Sequence, residues 1–184
     1  MVDVYIRKFT KKTTIKRLGR ATLADFQNIT TLLGKVEDLA PSGFAIGFHL
    51  RLTSSEFLFQ AYPRKWAQLY SERGFILSDP VTAWSFQNVG AIRWSAVKDN
   101  DPQDILGQAA EHGMKFGAGI SVEAGTTKSI AGFARPDREY TDAELEELIE
   151  NIRKLHILTT TESGMSEELH AELHRLSVKM THPS

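Results

Sequence analysis

TLADFQNITTLLGKVEDLAPSGFAIGFHLRLTSSEFLFQAY, residues 22–62, changes its hydrophobic period halfway along. Up to Leu39 the apolar residues Leu23, Phe26, Ile29, Leu32, Leu33, Val36 and Leu39 recur three or four apart, the spacing of one helix face. Ala40-Pro41-Ser42-Gly43 stops that helix. Phe44, Ile46, Phe48, Leu50 and Leu52 then alternate with smaller or polar residues, the period of a half-buried strand. Thr53-Ser54-Ser55-Glu56 reads as a hairpin turn and 57–62 as the returning strand. A helix followed by a β-hairpin therefore opens the fold.

The same reading extends to the C-terminus. A helix is expected over 63–73, with Pro63 in its first turn and Gly74 as its stop. A short helix begins at Asp79-Pro80, a short strand covers 92–94, and a helix over 102–112 closes at Gly113. Residues 118–123 and 128–135 form a second hairpin around Ala124-Gly125-Thr126-Thr127. Thr141-Asp142-Ala143-Glu144 is a capping box opening a long helix that carries Leu145, Leu148, Ile149, Ile152 and Leu155. A last helix spans 166–180. Helices flanking two hairpins and one extra strand predict an α/β (α+β) fold: an antiparallel sheet covered on both faces, an α/β/α sandwich. Strict βα alternation is absent, and no G-x-G-x-x-G or P-loop run follows a strand, so a nucleotide-binding fold has no support.

Composition narrows the function classes. The 184 residues carry 22 Lys+Arg against 23 Asp+Glu, a net charge of −1, which argues against a dedicated nucleic-acid binder. There is no cysteine, which removes disulfides, thiolate chemistry and Cys-based zinc sites. No apolar run approaches a membrane span, and MVDVYIRKFTKK lacks the apolar core of a signal peptide, so a cytoplasmic chain is expected. Residues 1–20 nevertheless carry seven bases and one acid, and 137–150 carry seven acids and one base. These read as a basic arm and a solvated acidic helix face; the arm docking on that face, in its own chain or a partner's, is the alternative.

The residues with chemistry to offer lie in 62–94, YPRKWAQLYSERGFILSDPVTAWSFQNVGAIRW. Tyr62, Trp66 and Tyr70 are four apart and share one helix face. Three large rings with two hydroxyls and an indole N–H are a demanding way to fill a core, because each buried polar tip needs a partner. They form either a core stripe or the wall of a ligand cavity. Asp79 sits between apolar Phe75-Ile76-Leu77 and Pro80-Val81. It reads as a helix N-cap, as an acceptor for a ligand N–H, or as both, since a carboxylate has lone pairs to spare.

The series Tyr62, Trp66, Tyr70, Asp79-Pro80-Val81 and Trp94, spaced Y-x3-W-x3-Y-x8-D-P-V, resembles the ligand-binding signature of LuxR-type quorum-sensing regulators. Gly113 and Gly117 in EHGMKFGAGI resemble the family's glycine motif at the start of a central strand. The resemblance covers roughly residues 20–160. It implies a five-stranded antiparallel sheet between helical layers and an autoinducer-binding domain over 21–162, after a basic arm (1–20) and before a C-terminal helix and tail (163–184). The implied ligand is an N-acyl-homoserine lactone, with no cofactor and no metal. Trp66 would donate to the lactone carbonyl, Asp79 accept from the amide N–H, and Tyr62 donate to the amide carbonyl; Tyr70 and Trp94 would wall the cavity. The sequence departs from the family at Ser121, where a proline is usual, and at Gly132, which aligns with a Thr or Ser offered to the ligand.

A third departure concerns DNA. The residues after the long helix make one amphipathic segment, too little for the family's helix-turn-helix domain with its supporting helix. Direct DNA binding by this chain is therefore not expected. The partners implied are a second copy, as a homodimer, or a full-length LuxR-type regulator in a heterodimer, in which the chain would act as an anti-activator; a fragment of a longer regulator is the other possibility. The competing function is a ligand-independent dimerisation module whose aromatic face is only core. An enzyme is not expected. His170 and His174 share a helix face but do not form H-E-x-x-H, and no G-x-S-x-G elbow is present. His49 and His112 read as structural or exposed.

Overall fold

The computed structural model describes residues 19–51, 54–161 and 164–181. The basic stretch up to residue 18, the Leu52-Thr53 step of the first hairpin and the extreme C-terminus lie outside the described residues. Helix α1 (Arg20–Leu39) ends where Ala40 leaves helical geometry, and Gly43 at φ 107° opens strand β1 (Gly43–Leu50). Only glycine fits there, since a Cβ would lie 2.4 Å from the Ala61 carbonyl oxygen at the end of the returning strand β2 (Phe57–Gln60). Helix α2 (Arg64–Glu72), a 3-10 turn (Phe75–Leu77) and helix α3 (Pro80–Gln87) follow. Strand β3 (Gly90–Arg93) runs into a 3-10 segment (Trp94–Asn100), then helix α4 (Ile105–Glu111). The second hairpin is β4 (Phe116–Ala124) and β5 (Thr127–Arg135), followed by helices α5 (Asp142–Thr159) and α6 (Glu167–Thr181).

The five strands form one antiparallel sheet in the order β2-β1-β5-β4-β3. This is the α/β/α sandwich expected from the sequence. Strand alternation divides the side chains by size. Phe44, Ile46 and Phe48 of β1, Ala118, Ile120 and Val122 of β4, and Ala131 and Phe133 of β5 face the layer of α1, α5 and α6. There they pack with Ile29, Leu33, Leu148, Ile152, Leu155 and Leu173 in the larger core. The opposite face carries mostly small residues, Ala45, Gly47, Gly117, Gly119, Ser121, Gly132 and Ala134, with Ile92 of β3 and Ile130 of β5 among them. Over it lies a second core built from Trp66, Phe75, Val81, Trp94, Val97, Ile105, Ala109 and Met114.

Helix α6 also closes an edge. Ser177 Oγ donates to the Leu58 carbonyl at 2.6 Å and accepts from the Leu58 N–H at 3.2 Å, capping backbone groups that β2 leaves unpaired on its outer side. Several boundaries differ from the sequence reading: the returning strand expected over 57–62 ends at Gln60 and helix α2 starts only at Arg64, so Tyr62 is not on the helix face of Trp66 and Tyr70 but just before it. The helix expected from 102 starts at Ile105, because Asp104 adopts a left-handed conformation at φ 51° and the Asp101 carboxylate caps the N–H groups of Ile105 (2.9 Å) and Leu106 (2.7 Å). The strand expected over 92–94 stops at Arg93, since Trp94 turns out of the sheet into the 3-10 segment.

Candidate functional site

Pro63 sets the chain direction after β2, so that Tyr62 precedes α2 while Trp66 and Tyr70 project from it toward the sheet. Trp66 is buried, with ring centroids 5.8 Å from Tyr70, 6.1 Å from Phe75 and 5.6 Å from His112. Tyr70 and Phe75 meet edge to face at 5.9 Å. Tyr62 packs against the same core, and its hydroxyl lies over Gly132, where a Cβ would approach it to 2.8 Å. Trp94 lies flat over β4: a Cβ at Gly117 would fall 2.1 Å from its indole ring. The structure thus gathers Tyr62, Trp66, Tyr70 and Trp94 into one aromatic layer over the small-residue face of the sheet.

Asp79 joins that layer through Tyr70. Its Oδ1 accepts from the N–H of Val81 (2.8 Å) and Thr82 (3.3 Å), capping α3 with Pro80 at its first position. Its Oδ2 accepts from Tyr70 Oη at 2.8 Å and Thr82 Oγ1 at 3.0 Å. Cap and aromatic-layer acceptor are the same carboxylate. Four donors already occupy its four lone-pair directions. Of the two hydroxyl bonds to Oδ2, that from Thr82 is the longer, at 3.0 Å against 2.8 Å from Tyr70, and it is the one a side-chain rotation releases without moving a ring.

The two phenols are poised as donors. Burial pushes the Tyr62 hydroxyl well above its usual pKa, and the Asp79 charge adds to it. Burial and then Asp79 do the same for Tyr70. Both keep their protons at any physiological pH. Trp94 Nε1 and Ser121 Oγ, on the same side of the sheet, are buried without a hydrogen-bond partner in the protein. What the arrangement offers is one carboxylate bonded to a phenol, with further donors on the same side of the sheet, not a nucleophile paired with a base.

The sequence reading missed Thr82 and His112. Thr82 carried a local signal, a hydroxyl three residues after an N-cap aspartate; His112 carried none, since it meets Trp66 only through the packing of α4. Other titratable groups serve the scaffold. His49 and His156, with ring centroids 4.5 Å apart and tilted at 43°, are buried and hydrogen-bond Thr127, Thr159, Ser129 and the Ala124 carbonyl. His170 Nε2 stands 3.4 Å from Glu56, and no group of three metal-ligating side chains occurs among the described residues. A polar depression of about 390 Å³ is lined by Arg51, Ser54, Ser55, Glu56 and Thr161, none of which belongs to the aromatic layer. No described helix is long and apolar enough to cross a membrane.

Residues 36–161 match the autoinducer binding domain family. The transcriptional activator protein VanR of Vibrio anguillarum is 37% identical over 82 residues, 43% of this chain and 34% of VanR, so the matched segment spans about a third of that relative's length. Among solved structures, the N-acylhomoserine-lactone-dependent LuxR-family factor CepR2 from Burkholderia cenocepacia superposes with a TM-score of 0.55 at 14% identity, covering 80% of this chain and 98% of CepR2. SdiA in complex with octanoyl-rac-glycerol gives 0.53 at 16% identity, covering 89% and 70% of the two chains. Escherichia coli SdiA in a second structure gives 0.51 at 19% identity, covering 80% and 72%. At these identities the structural likeness is one of fold.

Proposed function

This chain belongs to the autoinducer binding domain family of LuxR-type regulators, a ligand-binding and not a catalytic family, and from that premise we propose that it is a receptor for an N-acyl-homoserine lactone held between the aromatic layer and the small-residue face of the sheet. The observation that carries this reading is the 2.8 Å bond from Tyr70 to Asp79, which ties a hydrogen-bond acceptor to the part-buried aromatic layer that also contains Trp66 and Tyr62. An acyl-lactone amide presents one N–H donor and several carbonyl acceptors. Asp79 takes the N–H once Thr82 turns away, Trp66 Nε1 reaches the lactone carbonyl, and Tyr62 Oη reaches the amide carbonyl. Tyr70 holds Asp79 in place and, with Trp94, walls the head group. Each buried methylene of the acyl chain adds about 0.8 kcal/mol, while the polar set fixes its orientation. CepR2 is described as dependent on such a lactone, which supports the class of ligand.

A thermal-shift panel of acyl-homoserine lactones of increasing chain length tests this. The melting temperature is expected to rise with chain length, and both Asp79→Asn and Trp66→Phe are expected to lose that rise while folding like the parent. Parent-like binding by both variants would remove the assigned anchors. The contacts of Trp66 with Tyr70, Phe75 and His112 favour a second reading, in which the layer is only core and the chain is a ligand-independent dimerisation module. An already stable parent that no lactone shifts would establish that one.

Action on transcription through a partner is part of the same proposal. VanR carries the description of a transcriptional activator. Ile157 of α5 and Val178 of α6 are apolar and about half exposed on the outer helical layer, where a second copy or a longer regulator would pack. Light scattering across a concentration series, with and without lactone, is expected to show dimers. A monomer throughout that also fails to pair with a full-length regulator would exclude this mode of action.

A further inference from the structure

Ser121 is fully buried on β4, and its hydroxyl has no hydrogen-bond partner in the protein. A buried hydroxyl left unpaired is unfavourable, and alanine or glycine would fill the position without that liability. Its neighbours Ile120 and Val122 face the larger core, so Ser121 shares the opposite face with Gly117 and Gly119. That is the side of the aromatic layer: Trp94 covers Gly117, while Val81 Cγ1 and Ser85 Oγ lie 2.6 and 3.4 Å from a Cβ built at Gly119. Ser121 is the one hydroxyl on β4, at a position flanked by Gly90 of β3 and Ile130 of β5.

We infer that the Ser121 hydroxyl hydrogen-bonds an oxygen substituent on the acyl chain, a keto or hydroxyl group near its carbonyl end, and so selects oxygenated over plain acyl lactones. The inference rests on the receptor reading above. Gly119 pairs directly with Gly132, over which the Tyr62 hydroxyl lies. Ser121 is two residues further along β4, about 7 Å from that point. An oxygen on the third acyl carbon spans this gap once a hydrogen bond of about 2.8 Å is added. The rigid indole of Trp94 fills the space over Gly117, whereas over Gly119 stand the ends of Val81, Ile92 and Ser85, so a chain leaving the head group toward Ser121 displaces only those small groups.

Isothermal titration of the parent, Ser121→Ala and Ser121→Thr with plain, 3-oxo and 3-hydroxy acyl-homoserine lactones of one chain length tests this. The parent is expected to bind one or both oxygenated ligands about tenfold more tightly than the plain one, the ratio set by one added hydrogen bond. Ser121→Ala should erase that preference and leave plain-chain affinity unchanged, and Ser121→Thr should restore it. If the parent binds lactones without preference, or Ser121→Ala changes all three affinities alike, the inference falls and the receptor reading stands. If the parent binds no lactone, both fall.

Discussion

Gly117 shows how one absent atom places a ligand wall. The Trp94 indole occupies the space that any side chain at 117 would need, with a Cβ position 2.1 Å from the ring. Gly117→Ala therefore forces a rigid bicyclic ring off its seat against a backbone that is fixed in the middle of the sheet. Overpacking of this kind costs about 1–3 kcal/mol. Urea denaturation is expected to show a lower midpoint at an unchanged slope, together with weaker lactone binding. Alanine at 117 with parent stability would mean that the ring is free to move. At the same scale, the phenols of Tyr62 and Tyr70 have pKa values raised above those of the unfolded chain. Their contribution to stability is complete below about pH 10 and is lost as the pH rises toward their folded values. Alkaline unfolding should thus steepen above about pH 10, and the Tyr62→Phe, Tyr70→Phe double variant should flatten it. Of these residue-scale features, the aromatic spacing and the N-cap role of Asp79 were legible in the sequence, because both depend on neighbours within a few positions. The seat of Trp94 on Gly117 was not, since it joins two elements through sheet register.

The elements are fixed mainly at their ends. Helix α3, which carries Asp79 at its N-terminus, has its C-terminal carbonyls held by Lys128 Nζ, 3.0 Å from Phe86 O and 3.1 Å from Asn88 O. Lys128 reaches there from β5, so the second hairpin clamps the helix that presents the carboxylate. Helix α5 begins with the Thr141–Glu144 capping box that the sequence displays. What the sequence conceals is that Glu144 also binds two arginines, Arg135 at 2.9 Å and Arg138 at 2.7 Å, tying the end of β5 to the helix start. Hydrogen bonds from Arg138 first, then from Thr141 and Arg135, hold the Glu144 carboxyl well below its usual range, and Arg135 lowers Asp137 to about 2. Because these folded pKa values lie below the unfolded ones, the stability they contribute is present above about pH 4 and is lost as the pH falls toward 2. Acid titration of Glu144→Gln should accordingly show a flatter acid limb than the parent, with a lower starting stability at neutral pH. A steep limb unchanged by the substitution would assign the acid transition to other carboxylates. The late start of α4 has the same origin as these clamps: Asp101, not the run of helix formers after Pro102, chooses the first helical residue.

At the scale of the whole molecule the sheet separates two layers of unequal strength. One layer consists of long helices, α1 with 20 residues and α5 with 18, packed on phenylalanines and branched aliphatics. The other consists of α2, α3 and α4, with nine, eight and seven residues, joined by 3-10 segments and resting on glycines. Helices so short are not stable alone, and a layer with few large contacts to the sheet lies at the low end of local stability. The alternation of large and small residues along β1 was visible in the sequence; that the small residues of β1, β4 and β5 line up on one side was not, because it required the strand order. A ligand filling the interface would stabilise this layer by mass action, by about 2.7 kcal/mol at a hundredfold excess over its Kd. Hydrogen exchange followed by mass spectrometry is therefore expected to show lactone-dependent slowing concentrated in residues 62–114, with little change in β1, β5 and α5, which pack in the larger core and are expected to open only on global unfolding. Protection spread evenly over both layers would instead mean that lactone stabilises the fold as a single cooperative unit, and the weaker layer would not be a separate, ligand-ordered part of it.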